Sequence, residues 1–542
     1  MAFLDRMFGR SQRAPAPTGT TTRRPVARYL RDTAQGALSQ RAASLVTHQD
    51  EVTRAWDRIA ALALDFIQNS GRLKGAVDQV LADTVGVELR LNARPNLSAL
   101  GYDQAETVAW ARLVEQRWRR WSWTPAECDF RGRLTVPQMV DVALRHQIAY
   151  GEAIGLMAFW DRPTRAQYGI TTGTKFCLIP PHRLVRETNE WRRLHAGVWL
   201  DENGRPTGYR VRERRAGFDQ DMDYAARDAA GRPQVIHVFD PWDADDTRGV
   251  SVLASAMRTH AYAEQLGDAT LTTAVLQTVF AATLTSPNPS IEAFEAIQAL
   301  AEEDPALSGE FVDFFAAKME AATEGVHFGA AGQVSHMGPG EKLELLTAQT
   351  PHNNYLPFSA DLRREMARAI GTTYSAFSMD HSDATYSSVR METASIWPVV
   401  LRRRERIAAP IKQSIFESWL DEEIGEGRIP LRGGYRAFQA HRDDICWAEW
   451  QGPARPTADD KKSAQAATER LQNGTSYLGL ECAEHGLSVE DVVEQRQRER
   501  DLFLAAGLGD PFAPRPSGAA ATPTATDGEE DGTGTGKKDA KT

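Results

Sequence analysis

Apolar positions recur at helical spacing over residues 44–81, with a Gln-Asn-Ser-Gly interruption at 68–71 that places Gly71 as a C-terminal cap. Residues 85–91 then alternate apolar and polar, the period of a half-buried strand. A second helical block covers 103–121 and ends among Trp118, Trp121 and Trp123, read as core aromatics. Residues 136–150 read as a helix and 153–160 as a strand. Short strands follow at 176–179, 197–200, 209–211 and 235–239, with a hairpin turn at Asp201-Glu202-Asn203-Gly204.

Beyond Gly249 the pattern changes. Residues 251–283 form one long Ala-rich helical run that Ser251 is placed to cap and that Pro287 and Pro289 terminate. The stretch 299–324 holds seven acids against Lys318. A helix is expected over 359–370, stopped by Gly371. A polar loop occupies 378–388 and a very long helical pattern 389–424, in which Pro398 and Pro410 predict kinks or a break. Helices resume at 458–471, 477–485 and 489–505, and the Pro/Gly/Thr-rich tail from 511 reads as disordered. The fold class is α+β, mostly helical.

A chain of 542 residues has a length prior of roughly three to four domains. Its four cysteines are scattered, without a CxxC pair, which excludes a zinc knuckle or a disulfide framework as the organising device. No apolar run approaches the ~20 residues of a membrane helix, so no membrane partner is expected, and residues 1–8 lack a signal-peptide core. The net charge is −10, against the basic balance of proteins that coat DNA. Seven arginines nevertheless lie within residues 1–31, which read as a flexible basic arm.

Enzymatic signatures are scarce: the chain contains no Walker A, GxSxG or HExxH motif. No catalytic residue, metal site or cofactor is assigned. Asp380, His381 and Asp383 make the one conceivable metal cluster, and a metal-dependent nucleic-acid-processing enzyme is the alternative it would support; a hydrated polar loop is the simpler reading. Glu152 and His237 read as lone groups satisfied structurally, and Cys446 as a buried apolar thiol. Arg402, Arg403, Arg404 and Arg406 span more than a full helical turn, so they cannot all face one way.

Five stretches, in order, carry a family resemblance. They are Val235-Ile236-His237-Val238-Phe239 followed by Arg248-Gly249-Val250-Ser251, and Met337-Gly338-Pro339-Gly340-Glu341. Next come Asp361-Leu362-Arg363 through Ile370-Gly371 with Ser378-Met379-Asp380, then Tyr386-Ser387-Ser388-Val389-Arg390. The last runs from Gln497-Arg498-Glu499-Arg500 to Leu508. Over about residues 40–508 the chain resembles the lambda-type portal proteins of tailed bacteriophages. Thr385 stands where that family commonly has Asn, and Arg455-Pro456-Thr457-Ala458-Asp459-Asp460-Lys461-Lys462 replaces its Asp-Pro-x-Lys.

The resemblance implies a portal fold assembled into a ring of twelve copies at one capsid vertex of the virion. Double-stranded DNA would pass through it without sequence readout. Terminase, a head–tail adaptor and the major capsid or scaffolding protein would be its partners. It implies a basic arm at 1–40, an α+β wing at 41–248, a first stem helix at 249–283 and a clip at 284–354. A second stem helix at 355–377, a channel loop at 378–388, a kinked channel helix and wing return at 389–439, a crown-like region at 440–508 and a tail at 509–542 follow.

The channel-loop residues would be Ser378, Asp380, His381, Ser382, Asp383, Thr385, Tyr386, Ser387, Ser388 and Arg390. Arg402, Arg403, Arg404 and Arg406 would be channel or inter-subunit charges. Glu302, Glu303, Asp304, Glu310, Asp313 and Glu320 of the clip would dock terminase. On this reading the acidic balance suits a conduit, because tight phosphate binding would hinder sliding DNA.

Overall fold

The computed structural model describes residues 46–215, 217–279, 282–285, 342–345, 354–382, 385–456 and 460–513. The basic arm, the acids of 299–324 and nearly all of the clip expected at 284–354 lie outside these residues, as does the tail from 514.

The chain opens with two helices, α1 (His48–Asn69) and α2 (Gly71–Thr84). Ser70 does the punctuating expected of Gly71: its N–H closes α1 on the Phe66 carbonyl and its hydroxyl accepts from Leu73 N at 3.4 Å, so Gly71 begins the second helix. The strand expected at 85–91 starts later. Val85 still bonds back to Leu81, Gly86 turns the chain at φ +62°, and β1 is Arg90–Ala93. The apolar positions Val85 and Leu89 are buried by that helix end and turn, whereas Val87 is exposed. β1 pairs antiparallel with the far-downstream β11 (Ala448–Gln451), tying the two ends of the fold together.

Helix α3 (Gln104–Ser122) is opened by an Asp103/Glu106 capping box, and α5 (Val136–Tyr150) by a Thr135/Gln138 box; a short turn of helix, α4 (Pro125–Cys128), separates them. Two antiparallel sheets follow. One has the order β3-β2-β8, from β2 (Glu152–Phe159), β3 (Thr174–Ile179) and β8 (Val235–Phe239), with α6 (Arg162–Tyr168) in the β2–β3 connection. The other runs β4 (Leu194–His195), β5 (Val198–Leu200), β6 (Pro206–Arg215) and β7 (Phe218–Ala225) in sequence. Asn203-Gly204 makes the expected turn, with Asp201 accepting from Asn203 N and Arg205 N at 2.8 Å each.

The long run expected from 251 begins as a helix only at α7 (Met257–Val279). Ser251 is buried, donates to the Ile148 carbonyl at 2.7 Å and accepts from Leu253 N at 3.2 Å, so it anchors a turn preceding the helix. The helix also stops short of 283, because β9 (Ala282–Thr285) pairs there with β10 (Lys342–Leu345).

Helix α8 (Tyr355–Ile370) ends at Gly371, φ +84°, and a short α9 (Tyr374–Ser378) leads to the polar loop. Helix α10 (Tyr386–Arg403), a π-turn at Arg404–Ala408 and α11 (Ala409–Gly425) then form one continuous helical rod. Neither proline breaks it. Pro398 sits inside α10, and the π-turn lies immediately before Pro410, where the wider turn absorbs the missing hydrogen bond. Five helices close the described chain: α12 (Gly434–Ala440), α13 (Arg442–Ile445), α14 (Asp460–Gln472), α15 (Leu478–Glu484) and α16 (Val489–Ala505).

The main core is aromatic. Trp118 lies with ring centroids 5.2–5.8 Å from Trp121, Phe416, Trp419 and Trp450, knitting α3, α11 and β11. Trp123 departs from expectation: it is 40% exposed and its indole donates to Glu88 at 2.8 Å. A smaller core of Ile154, Ile179, Leu184, Val198, Tyr209, Val211 and Val235 joins the two sheets. Cys446 is buried, and burial raises its thiol pKa. Among the described residues, no helix is long and apolar enough to cross a membrane.

Candidate functional site

The polar loop is built by helix chemistry on both sides. Thr373 caps α9 by accepting from Ala376 N at 3.1 Å, and Thr385 caps α10 through a reciprocal box with Ser388, at 3.2 Å and 2.9 Å. Between the caps, Met379 takes a left-handed conformation (φ +54°) with its side chain 77% exposed. Asp380 accepts from both Ser382 N (3.1 Å) and Ser382 Oγ (2.7 Å), and the Ser382 hydroxyl holds its carboxyl below the usual range. Ser378 donates to the Tyr374 carbonyl at 2.9 Å.

The structure thus gathers Ser378, Asp380, His381, Ser382, Thr385, Ser387, Ser388 and Arg390 onto one connection. His381, Ser382, Thr385, Ser387, Ser388 and Arg390 are exposed there. Asp383 and the side chain of Tyr386 lie outside the described residues. Several of the hydroxyls bond within the loop itself, which fixes its shape, and Asp380, Ser382 and Ser388 border a cavity of about 730 Å³ between α8 and α10. Among the described residues, no group of three or more His, Cys, Asp or Glu could hold a metal ion.

The arginines of the rod divide into two kinds. Arg402 and Arg406, one turn apart, are exposed and share Asp240, at 2.7 Å and 3.2 Å. Arg403 and Arg404 are buried. Arg403 donates to the Ile370 carbonyl at 2.9 Å, and burial lowers its pKa to about 10. Arg404 donates to the carbonyls of Thr84, Asp83 and Pro453 at 2.9, 3.2 and 3.1 Å, and its guanidinium also lies over the Trp397 ring. Within a single chain these two join α2, α8, the rod and the strand exit after β11. The clip acids Glu302, Glu303, Asp304, Glu310, Asp313 and Glu320 lie outside the described residues.

Sequence reading left Glu152 and His237 as separate groups; the fold brings them onto Arg248. Adjacent antiparallel strands place His237 Nε2 3.0 Å from Glu152 Oε2. Arg248, arriving just before the turn into α7, donates from Nε to both Glu152 oxygens at 2.9 Å and 2.8 Å, and from Nη1 to the Ala196 carbonyl at 2.9 Å. All three side chains are essentially buried. Burial alone would raise the Glu152 pKa, but the Arg248 charge and the His237 bond outweigh it and hold the carboxyl at about 2. The signal available in the sequence was the Arg248-Gly249 pair. Gly249 packs back to back with Gly151, so closely that a Cβ on it would stand 2.1 Å from the Gly151 oxygen.

The described residues thus combine a junction between sheet and long helix held by a buried charge pair, arginines bonded to backbone carbonyls of the same chain, and an exposed polar loop at a helix–helix connection. Residues 35–404 match the family described as phage portal protein, lambda family. The chain is 29% identical to the portal protein of Escherichia phage N15 over 492 residues, covering 88% of this chain and 90% of that protein. It is likewise 29% identical to portal protein B of Escherichia phage lambda over 465 residues, covering 83% and 85%. Among solved structures, a chain of "Neck of empty GTA particle computed with C6 symmetry" aligns at a TM-score of 0.42 and 12% identity, over 83% of this chain and 94% of that one; at that score the likeness is loose.

The family match spans well over half of the chain, which therefore belongs to the lambda family of phage portal proteins. Members are structural, non-enzymatic virion proteins that assemble as an oligomeric ring and form the DNA-packaging vertex of the phage capsid.

Proposed function

We propose that twelve copies close into a ring whose channel conducts double-stranded DNA inward during packaging and outward during ejection, and that loop 378–388 lines that channel. The observation that carries this is the loop itself: a hydroxyl-rich connection, shaped by its own hydrogen bonds and exposed between α9 and α10. Hydroxyls contact phosphates weakly and without sequence preference, and Asp380 repels them, so DNA is guided rather than held. Arg390, and the exposed Arg402 and Arg406, supply positive charge near the same rod.

In this reading the residues to 248 form the wing, α7 and α8 the stem, 284–354 the clip, the rod the channel helix, and 440–508 the crown. The clip acids Glu302, Glu303, Asp304, Glu310, Asp313 and Glu320 dock terminase, a head–tail adaptor takes its place later, and the major capsid or scaffolding protein is a further partner.

Deleting 379–384 tests the channel role: rings should still form, while heads fail to package or retain a genome. Genome-filled heads from that variant would sink the proposal. Reversing the clip acids should weaken terminase capture in a pull-down, and undiminished capture would remove the docking role.

A further inference from the structure

A cyclic ring is built from heterologous contacts, so each copy must present two different patches that fit one another. Two such patches stand close together on this chain. The first is the loop that follows β8. Asp246 braces it, accepting from Trp242 N at 2.9 Å and Asp243 N at 2.8 Å while bonded to His48 at 2.7 Å. The brace presents Trp242, 87% exposed, between solvent and the acids Asp243 and Asp245, neither of which has an ion-pair partner among the described residues.

The second patch is a groove between α8 and α10, a cavity of about 730 Å³ bordered by Leu356, Arg364, Arg368, Tyr374 and Ile396. Arg364 lies over the Tyr374 ring at 4.8 Å, and neither Arg364 nor Arg368 pairs with a carboxylate among the described residues. Arg363 also borders the groove, and the two carboxylates there, Asp380 and Glu392, each accept from a serine hydroxyl, so arginines outnumber acids three to two.

We propose that the Trp242–Asp245 loop of one copy docks into the Arg364/Arg368 groove of its neighbour. The charges are complementary, and an exposed Trp beside Arg-lined concavity is the composition of an interface hot spot. Arg368 borders both this groove and the cavity beneath Trp242, so loop and groove lie next to one another on the same chain.

The inference rests on the ring reading. It is tested by comparing wild type, D243K/D245K, R364E/R368E and the combined four-residue variant by mass photometry at fixed protein and salt. Each reversal should lower the ring population roughly tenfold, the equivalent of about 1.4 kcal/mol, and the combination should restore it. A second measurement is independent of assembly yield: oxidised D243C/R368C protein should run as a ladder of covalently linked copies on a denaturing gel. Wild-type rings indifferent to both reversals, or a missing ladder, would overturn this contact alone. A wild-type chain that stays monomeric would remove the ring reading and the contact with it.

Discussion

Arg248 and Glu152, 96 positions apart in sequence, form an almost fully buried bidentate pair, and the next peptide N–H, that of Gly249, adds a 3.3 Å bond to the same carboxylate. Trp56 closes the arrangement: its ring stacks 4.9 Å beneath the guanidinium and its indole donates to the Gly249 carbonyl at 2.9 Å. The first turn toward α7 is thus bolted to the sheet by a buried charge pair, the geometry in which loss of one partner is most costly.

Arg248→Ala should therefore destabilise the folded chain by about 3–5 kcal/mol, because it strands the Glu152 carboxylate in the interior. The pH response has a definite sign. The Glu152 pKa falls from 4.5 to about 2 on folding, so its contribution is complete above pH 4.5 and is lost as pH drops toward 2. Denaturant titrations of wild type and Glu152→Gln between pH 6 and 2.5 should converge toward the acid end. Parallel curves would show that the pair contributes nothing through protonation.

The glycines offer a comparison within one protein. A Cβ at Gly151, where φ is +91°, would lie 2.2 Å from the Val250 carbonyl carbon, and one at Gly249 would meet backbone at 2.1 Å. Gly75 is inside α2 with nothing within 4 Å of its missing Cβ. Gly151→Ala and Gly249→Ala should each cost several kcal/mol, on the order of a core overpacking change or more, while Gly75→Ala should gain about 0.5–1 kcal/mol from helix propensity and lost unfolded-state freedom. Thermal melts of the three variants decide it, and a stabilised Gly249→Ala would contradict the close backbone packing.

Arg404 and Arg402 differ by two positions and by their entire environment. Arg404→Ala deprives three buried or half-buried carbonyls of a charged donor and should cost about 3 kcal/mol or more. Arg402→Ala removes an exposed pair with Asp240 and should change stability by less than about 1 kcal/mol. Equal losses in chemical denaturation would refute the division of the arginine cluster into internal and surface members.

That division marks the limit of what the sequence makes legible. Helical period, with Gly371 as a stop, locates α3, α5 and α8 to within a few positions; the structure adds Asp103 and Thr135 as the caps of the first two. The polar loop is equally legible, since its Ser-rich composition is local as well. Arg403 and Arg404 read as channel or inter-subunit charges because their actual partners, the carbonyls of Ile370, Thr84, Asp83 and Pro453, are backbone atoms that no residue type announces. Glu152 and His237 read as separate, structurally satisfied groups for a related reason: their partnership with each other depends on the β2–β8 register and on Arg248 arriving from outside both strands. Ser251 had the right chemistry for a cap, but tertiary bonding to Ile148 diverted it to a turn.

Lys412 carries the last prediction. It is 1% exposed in the aromatic core, donates to the Leu89 carbonyl, and lies 4.9 Å from the Trp450 ring centroid and 6.0 Å from that of Trp118. Burial lowers its pKa from 10.5 to about 8. Between those values the unfolded chain holds a proton that the folded chain has released, so this group makes stability rise with pH from about 8 to 10.5. The gain should be on the order of 3 kcal/mol, the free-energy equivalent of the shift. Lys412→Met, similar in length and without a charge, should remove that rise. Its stability at pH 7 should stay close to wild type, because the lost carbonyl bond and ring contacts are offset by relief from a buried charge. Urea titrations of both proteins at pH 7 and pH 10 provide the check: a wild-type-minus-variant difference that does not move between the two pH values would show that Lys412 keeps its proton in the folded core.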